Sequence, residues 1–248
     1  CAAGTYQPTS GQTTCDECVA GTYCAVGASA QLECSPGSYG DAEGQSECAS
    51  CVAGTHQSTK GQLACAECKA GTYCVEGSVT EELCAAGRYS GSVGAQSVAS
   101  CDECPAGSAC SAGSAAPASC LAGTFASSGG ESECDSCAPG EYQSATGSTA
   151  CELCPAGSMC AATGSTSPTL CTAGRYAPSD GATECAECPA GSACAAGSMS
   201  PAACSAGSFS DASGAALCVS CAAGTYQPTS GQTTCDECVA GTEFARGA

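Results

Sequence analysis

The sequence predicts disulfide-rich small modules in tandem, forming an elongated, solenoid-like rod of short β-hairpins and turns with little helix. Three observations predict it. Cys occupies 29 of 248 positions. Large apolar residues are scarce: once Cys and Ala are set aside, only nine Val, seven Leu, two Met, three Phe and eight Tyr remain, with no Ile or Trp. One short phrase also returns along the whole chain. A chain of this length normally folds around large aliphatic side chains. Ala and Gly bury too little surface to replace them, so covalent cross-links must do so.

The recurring phrase is C-x-x-G-x-[YF]. Gly follows a Cys by three residues at fifteen places, from Gly4 and Gly21 to Gly224 and Gly241. All eight Tyr fall two residues after such a Gly (Tyr6, Tyr23, Tyr39, Tyr73, Tyr89, Tyr142, Tyr176, Tyr226), as do Phe125 and Phe209. Gly permits the positive φ of a sharp turn. The aromatic is then expected to fold back over the half-cystine as a miniature core. The single His, His56, stands in this slot, where it reads as a substitute aromatic.

Cysteine spacing divides the chain into short modules, C-x13-C-x2, and long modules that add C-x5-C-x9 in front. The modules expected are 1–17 (short), 18–50 (long), 51–67 (short), 68–103 (long), 104–136 (long), 137–153 (short), 154–187 (long) and 188–220 (long). Residues 221–248 then start the next copy of a 220-residue super-repeat, because residues 221–242 are identical to residues 1–22. An array that repeats at two levels suggests a protein extended by tandem copying. The chain lacks an initiator Met and a signal peptide and reads as a window cut from a longer secreted polypeptide.

Spacing alone does not fix disulfide pairing. Closing each C-x13-C on itself gives Cys1–Cys15, Cys34–Cys48, Cys51–Cys65, Cys84–Cys101 (with three extra residues), Cys120–Cys134, Cys137–Cys151, Cys171–Cys185, Cys204–Cys218 and Cys221–Cys235. Closing each C-x5-C gives Cys18–Cys24, Cys68–Cys74, Cys104–Cys110, Cys154–Cys160 and Cys188–Cys194. Cys238 is left unpaired, since Phe244 stands where its partner is expected. In the chain-entropy model a 15-residue ring contributes about 3 kcal/mol and a seven-residue ring roughly 2–2.5. Rings joined by two-residue links form small knobs that touch mainly their neighbours, so stability is nearly one-dimensional.

Composition and motifs exclude several functions. A formal net charge of −19, with bases only at Lys60, Lys69, Arg88, Arg175 and Arg246, offers nucleic acid no basic patch. No run of apolar residues is long enough to span a bilayer. Nine C-x2-C pairs invite a structural-zinc reading, which an intracellular metal-binding protein would require. The equally regular x13 rings and the near-absence of His favour cystines, which persist in an oxidising extracellular setting. No catalytic residue, metal ligand or cofactor site is assigned: one His serves no triad, and no phosphate loop is present. The acids read as a solvated face that keeps a Cys-rich rod soluble. With no Asn there is no N-glycosylation site, whereas Ser- and Thr-rich stretches such as Ser111–Ser119 and Ser144–Thr149 admit O-linked glycans.

The short module, with Tyr6 between Cys1 and Cys15 followed by C-D-E-C, resembles the first half of a tumour-necrosis-factor-receptor cysteine-rich domain. In that family the corresponding cysteines form one simple loop, which agrees with the pairing above. The phrase C-x-x-C-P-A-G-[TS], at Cys101–Ser108, Cys151–Ser158 and Cys185–Ser192, more closely resembles the ephrin-receptor-like cysteine-rich repeat. Long arrays of it with little else resemble the main shaft subunit of mastigonemes, the hair-like filaments of algal flagella. That resemblance implies a secreted glycoprotein at the cell or flagellar surface, whose partners are copies of itself or sister filament subunits. The alternative is the ectodomain of a receptor, adhesin or protist surface antigen presenting a protein- or glycan-binding surface. The filament reading is favoured by the super-repeat and by the small size of the only insertions, in Cys84–Cys101 and between Cys160 and Cys171.

Overall fold

The computed structural model describes residues 1–239. Nearly every regular element is a two-residue strand, and strands pair only with the next or preceding one, antiparallel, to give fourteen two-stranded hairpins. One 3-10 turn, Val98–Ser100, takes up the extra residues before Cys101. Each hairpin begins at the Cys of the recurring phrase. They are numbered here 1 to 14, starting at Cys1, Cys18, Cys34, Cys51, Cys68, Cys84, Cys104, Cys120, Cys137, Cys154, Cys171, Cys188, Cys204 and Cys221. A long module therefore holds two hairpins and a short module one.

Hairpin 1 shows the local logic. Gly4, at φ 86°, turns the chain after Cys1. Thr5–Tyr6 then pairs with Asp16–Glu17, with Thr5 opposite Glu17 and Tyr6 opposite Asp16. The Thr5 N–H donates to the Ala2 carbonyl, and the Cys18 N–H to the Gly4 carbonyl, closing the hairpin where the next begins. A second glycine, Gly11, at φ 82°, turns the connecting loop. No non-glycine residue among those described has a positive φ.

Three main-chain hydrogen bonds tie each hairpin to the next from hairpin 1 to 8 and again from 9 to 14, whereas hairpins 8 and 9 are joined by one, from the Gly123 N–H to Gln143 O. Between hairpins 1 and 2 the Gly4 N–H donates to Cys24 O, the Gln7 N–H to Ala28 O, and the Gly27 N–H back to Cys1 O. The same set recurs between hairpins 4 and 5 (Gly54 to Cys74, Gln57 to Ser78, Gly77 to Cys51) and between 11 and 12 (Gly174 to Cys194, Ala177 to Ser198, Gly197 to Cys171). These bonds use the backbone alone, so they survive wide variation in side chains. They also satisfy amides that two-residue strands leave open.

The described chain forms two compact units, Cys1–Cys120 with Ala126–Cys134, and Leu121–Phe125 with the residues from Asp135 onward. Within each, the turn glycine reaches past its neighbour to the hairpin after it. Gly4 lies against the Gly44 carbonyl and Gly54 against that of Gly94 in the first unit; Gly140 lies against the Gly181 carbonyl and Gly157 against that of Gly197 in the second. A Cβ at any of these positions would drive into that carbonyl oxygen. The phrase glycine thus meets two demands at once, a positive φ and a backbone-to-backbone approach.

The core is sulfur. Among the described residues the buried apolar positions are half-cystines, with Cys18, Cys34, Cys51, Cys68, Cys104 and Cys137 at 0% exposed, and three alanines, Ala95, Ala126 and Ala177. Val and Leu stand largely in solvent, as at Val26, Leu121 and Leu217. The slot aromatics, expected to be the miniature cores, are only half-buried. The leading half-cystines of hairpins 2 to 13, from Cys18 to Cys204, take the buried positions instead.

Candidate functional site

The chemistry-bearing groups are the cystines and the surfaces they hold. Nine join residues separated by 14 or 17 positions: Cys1–Cys15, Cys34–Cys48, Cys51–Cys65, Cys84–Cys101, Cys120–Cys134, Cys137–Cys151, Cys171–Cys185, Cys204–Cys218 and Cys221–Cys235. Five close small rings with a separation of 6: Cys18–Cys24, Cys68–Cys74, Cys104–Cys110, Cys154–Cys160 and Cys188–Cys194. Cys238 is a free, half-buried thiol among the described residues, and position 244 lies outside them.

The two ring sizes share one backbone and differ in where the second sulfur sits. In small rings both half-cystines are buried, at no more than 2% exposed. In large rings the second half-cystine lies just before the outer strand, and Cys15 is exposed, while Cys48, Cys65, Cys134, Cys151, Cys218 and Cys235 are half-buried. Cys101 and Cys185 are buried exceptions at 2% and 5%. Both have an arginine over them: Arg88 Nη1 donates to Cys101 O and Arg175 Nη1 to Cys185 O, each at 2.9 Å. Arg175 also pairs with Glu187 at 3.0 Å across the strands.

The sixth residue after the leading Cys carries a signal that the cysteine spacing hid. In small-ring hairpins it is the second half-cystine; in hairpins 1, 4, 9 and 14 it is Gln. Gln7 Nε2 donates to Thr14 O across its loop, while its Oε1 accepts the Thr9 N–H. Gln57, Gln143 and Gln227 repeat the brace. An amide with both a donor and an acceptor spans the loop where no small ring does.

The second strand of every hairpin is exposed at both residues, forming an outer face with Asp16, Glu17, Glu33, Glu67, Asp102 and Glu103 in the first unit. Its carboxylates tune two phenols: Tyr142 Oη donates to Glu152 at 3.0 Å, and the hydrogen bond to that carboxylate holds the phenol above its ordinary pKa. Tyr73 is raised in the same way by Glu82. In the second unit a groove of about 510 Å³ opens beside Met159, lined by Leu170, Arg175 and Glu184 among others. Met159 occupies an aromatic slot.

His56, the single His in an aromatic slot, has Nδ1 3.7 Å from Cys68 Sγ, on the small ring of the following hairpin. It is the single cluster of His, Cys, Asp and Glu among the described residues with metal-ligand proximity. As a cystine, Cys68–Cys74 has no thiolate to offer.

A family model described as tyrosine-protein kinase ephrin type A/B receptor-like matches residues 123–171 and 207–245. The matched segments share the cystine hairpin with the rest of the described chain, so the whole is an array of cysteine-rich repeats of an extracellular kind. No curated protein matches the chain. No helix among the described residues is long and apolar enough to cross a membrane.

Proposed function

We propose that this chain is a structural subunit of an extracellular filament, a mastigoneme-like flagellar hair or similar fibre, with no catalytic role. One observation carries the reading: hairpins 1 to 8, and again hairpins 9 to 14, are joined by one repeating set of three main-chain bonds, whatever their side chains. A binding module usually sacrifices such regularity at the place where a ligand lands. A shaft gains from keeping it, because each added repeat brings its own interface. The identity of residues 221–242 with residues 1–22 supports extension by whole super-repeats. Partners on this reading are copies of the chain or sister subunits, and O-linked glycans would clothe exposed Ser and Thr in the loops.

Electron microscopy of native-source material, prepared without reductant, tests this. Fibres with an axial period set by the 220-residue unit are expected; separate rods would overturn the filament. The groove beside Met159 and Arg175 favours a second reading, a receptor or adhesin ectodomain. Screening that surface against glycans and peptides tests it: binding lost in Met159→Tyr supports this second reading.

A further inference from the structure

We propose that reduction of Cys68–Cys74 converts its surroundings into a binding site for a thiophilic divalent ion such as Zn²⁺, with His56, Cys68 and Cys74 as ligands. The three ligand atoms already lie within 4.8 Å of one another, and His56 Nδ1 is 3.7 Å from Cys68 Sγ. Around tetrahedral zinc, with bonds of about 2.3 Å to sulfur and about 2.0–2.1 Å to nitrogen, a sulfur–nitrogen edge is roughly 3.6 Å. That edge therefore exists before any metal arrives. Only the two sulfurs must part, which breaking their bond permits.

The chemistry balances with a dithiol reductant. Its two thiols close to a disulfide as the Cys68–Cys74 bond takes up two electrons and two protons. Zinc then displaces both thiol protons to solvent, while neutral His56 supplies its ring lone pair. A fourth position stays open to water.

The chain contains its own controls. The slot residue of the hairpin ahead of each other small ring is Tyr: Tyr6 before Cys18–Cys24, Tyr89 before Cys104–Cys110, Tyr142 before Cys154–Cys160 and Tyr176 before Cys188–Cys194. Two thiols alone bind weakly against solvent competition, so a third ligand singles out one ring among five. His56 is half-buried and both sulfurs are fully buried, which shields the bound ion.

The test uses the full chain, treated with dithiothreitol under native conditions, desalted anaerobically and divided with and without ZnCl2. Timed alkylation and mass spectrometry then follow each cysteine. Zinc is expected to slow alkylation of Cys68 and Cys74 at least tenfold and to leave the other small rings unchanged. His56→Tyr, which restores the residue this slot holds in eight other hairpins, should abolish the protection without unfolding the array. Equal protection at all five small rings, protection that survives His56→Tyr, or a Cys68–Cys74 bond that resists reduction in the folded chain would each overturn the proposal.

Discussion

Hairpins 2 and 5 differ from hairpins 7, 10 and 12, although all five close a small ring on the same backbone. The first pair follow the leading Cys with Val19 and Lys69 and carry Tyr23 and Tyr73 in the slot; the other three begin with Pro105, Pro155 and Pro189 and carry Ala109, Met159 and Ala193. In the first pair a side chain reaches back to cap the open amide: Gln31 Oε1 accepts the Val19 N–H and Glu81 Oε1 the Lys69 N–H. In the other three that amide is absent, because proline has none, and Pro117, Pro168 and Pro201 stand at the acceptor's position. All five acceptor-site residues are half-buried. One backbone demand thus has two solutions, satisfying the donor or deleting it, and the residues twelve or thirteen apart change together.

The two classes should respond alike where they share a constraint. Gly71 and Gly157 both need positive φ, at 85° and 81°, and a Cβ on either would drive into the carbonyl of Gly113 or Gly197. Left-handed strain alone costs about 1–2 kcal/mol, and the backbone must also part from the hairpin two further on. Gly71→Ala and Gly157→Ala are therefore expected to lose several times the stability lost by Gly27→Ala, where φ is 74° but nothing lies within 4 Å. Chemical denaturation and hydrogen exchange of the neighbouring hairpins measure the difference. If all three alanine variants fall together, the backbone approach contributes nothing.

Exposure should separate the large rings next. Graded reduction of the native chain is expected to open Cys1–Cys15 first among them, since Cys15 is exposed, ahead of the rings whose second half-cystine is half-buried. Cys84–Cys101 and Cys171–Cys185 should behave as protected large rings, and Arg88→Ala or Arg175→Ala should return each to the faster group by removing its cover. Alkylation mapping by mass spectrometry reads the order.

The fold class was legible because its determinants are local: cysteines, turn glycines at a fixed offset, and a shortage of anything else to bury. The aromatics misled because rarity suggested a core, whereas the core is the half-cystine beneath them, as the exposures of Cys51 and Cys68 show. Reading 18–50 as one long module also hid that Cys24 and Gln7 occupy one position in successive hairpins. Aligned hairpin by hairpin, the Gln brace and the proline exchange become visible in the sequence itself. The reach of Gly4 to Gly44 does not, because backbone contacts between non-adjacent repeats leave no pattern beyond the glycine.

A swap tests whether the two solutions are interchangeable. Glu81→Ala should cost about 1 kcal/mol, the usual worth of a lost hydrogen bond, by leaving the Lys69 N–H without its acceptor. The Lys69–Glu81 ion pair, 3.9 Å long with an 84% exposed lysine, adds little. Lys69→Pro combined with Glu81→Pro should recover most of the loss, as hairpins 7, 10 and 12 imply. Recovery by the double but not by Glu81→Pro alone, in a denaturation series, identifies the coupling; equal stability of Glu81→Ala and the native chain dismisses it.

The smallest effect concerns the phenol that hairpin 5 keeps and the proline class lacks. The hydrogen bond to Glu82 raises the Tyr73 pKa above 10.0, with smaller contributions from burial and the carboxylate charge. A folded pKa above the unfolded one means that the contribution to stability is complete below pH 10. It is lost as pH rises from there through the folded value, because the unfolded chain ionises first. Ultraviolet difference titration of the native chain against Glu82→Ala should show Tyr73 ionising at lower pH in the variant, with Tyr142 unmoved because its partner Glu152 is intact. Identical titrations of the two chains would mean that the outer carboxylates act only as solvated charge. A selective shift would show the cross-strand pair holding its geometry on the exposed face.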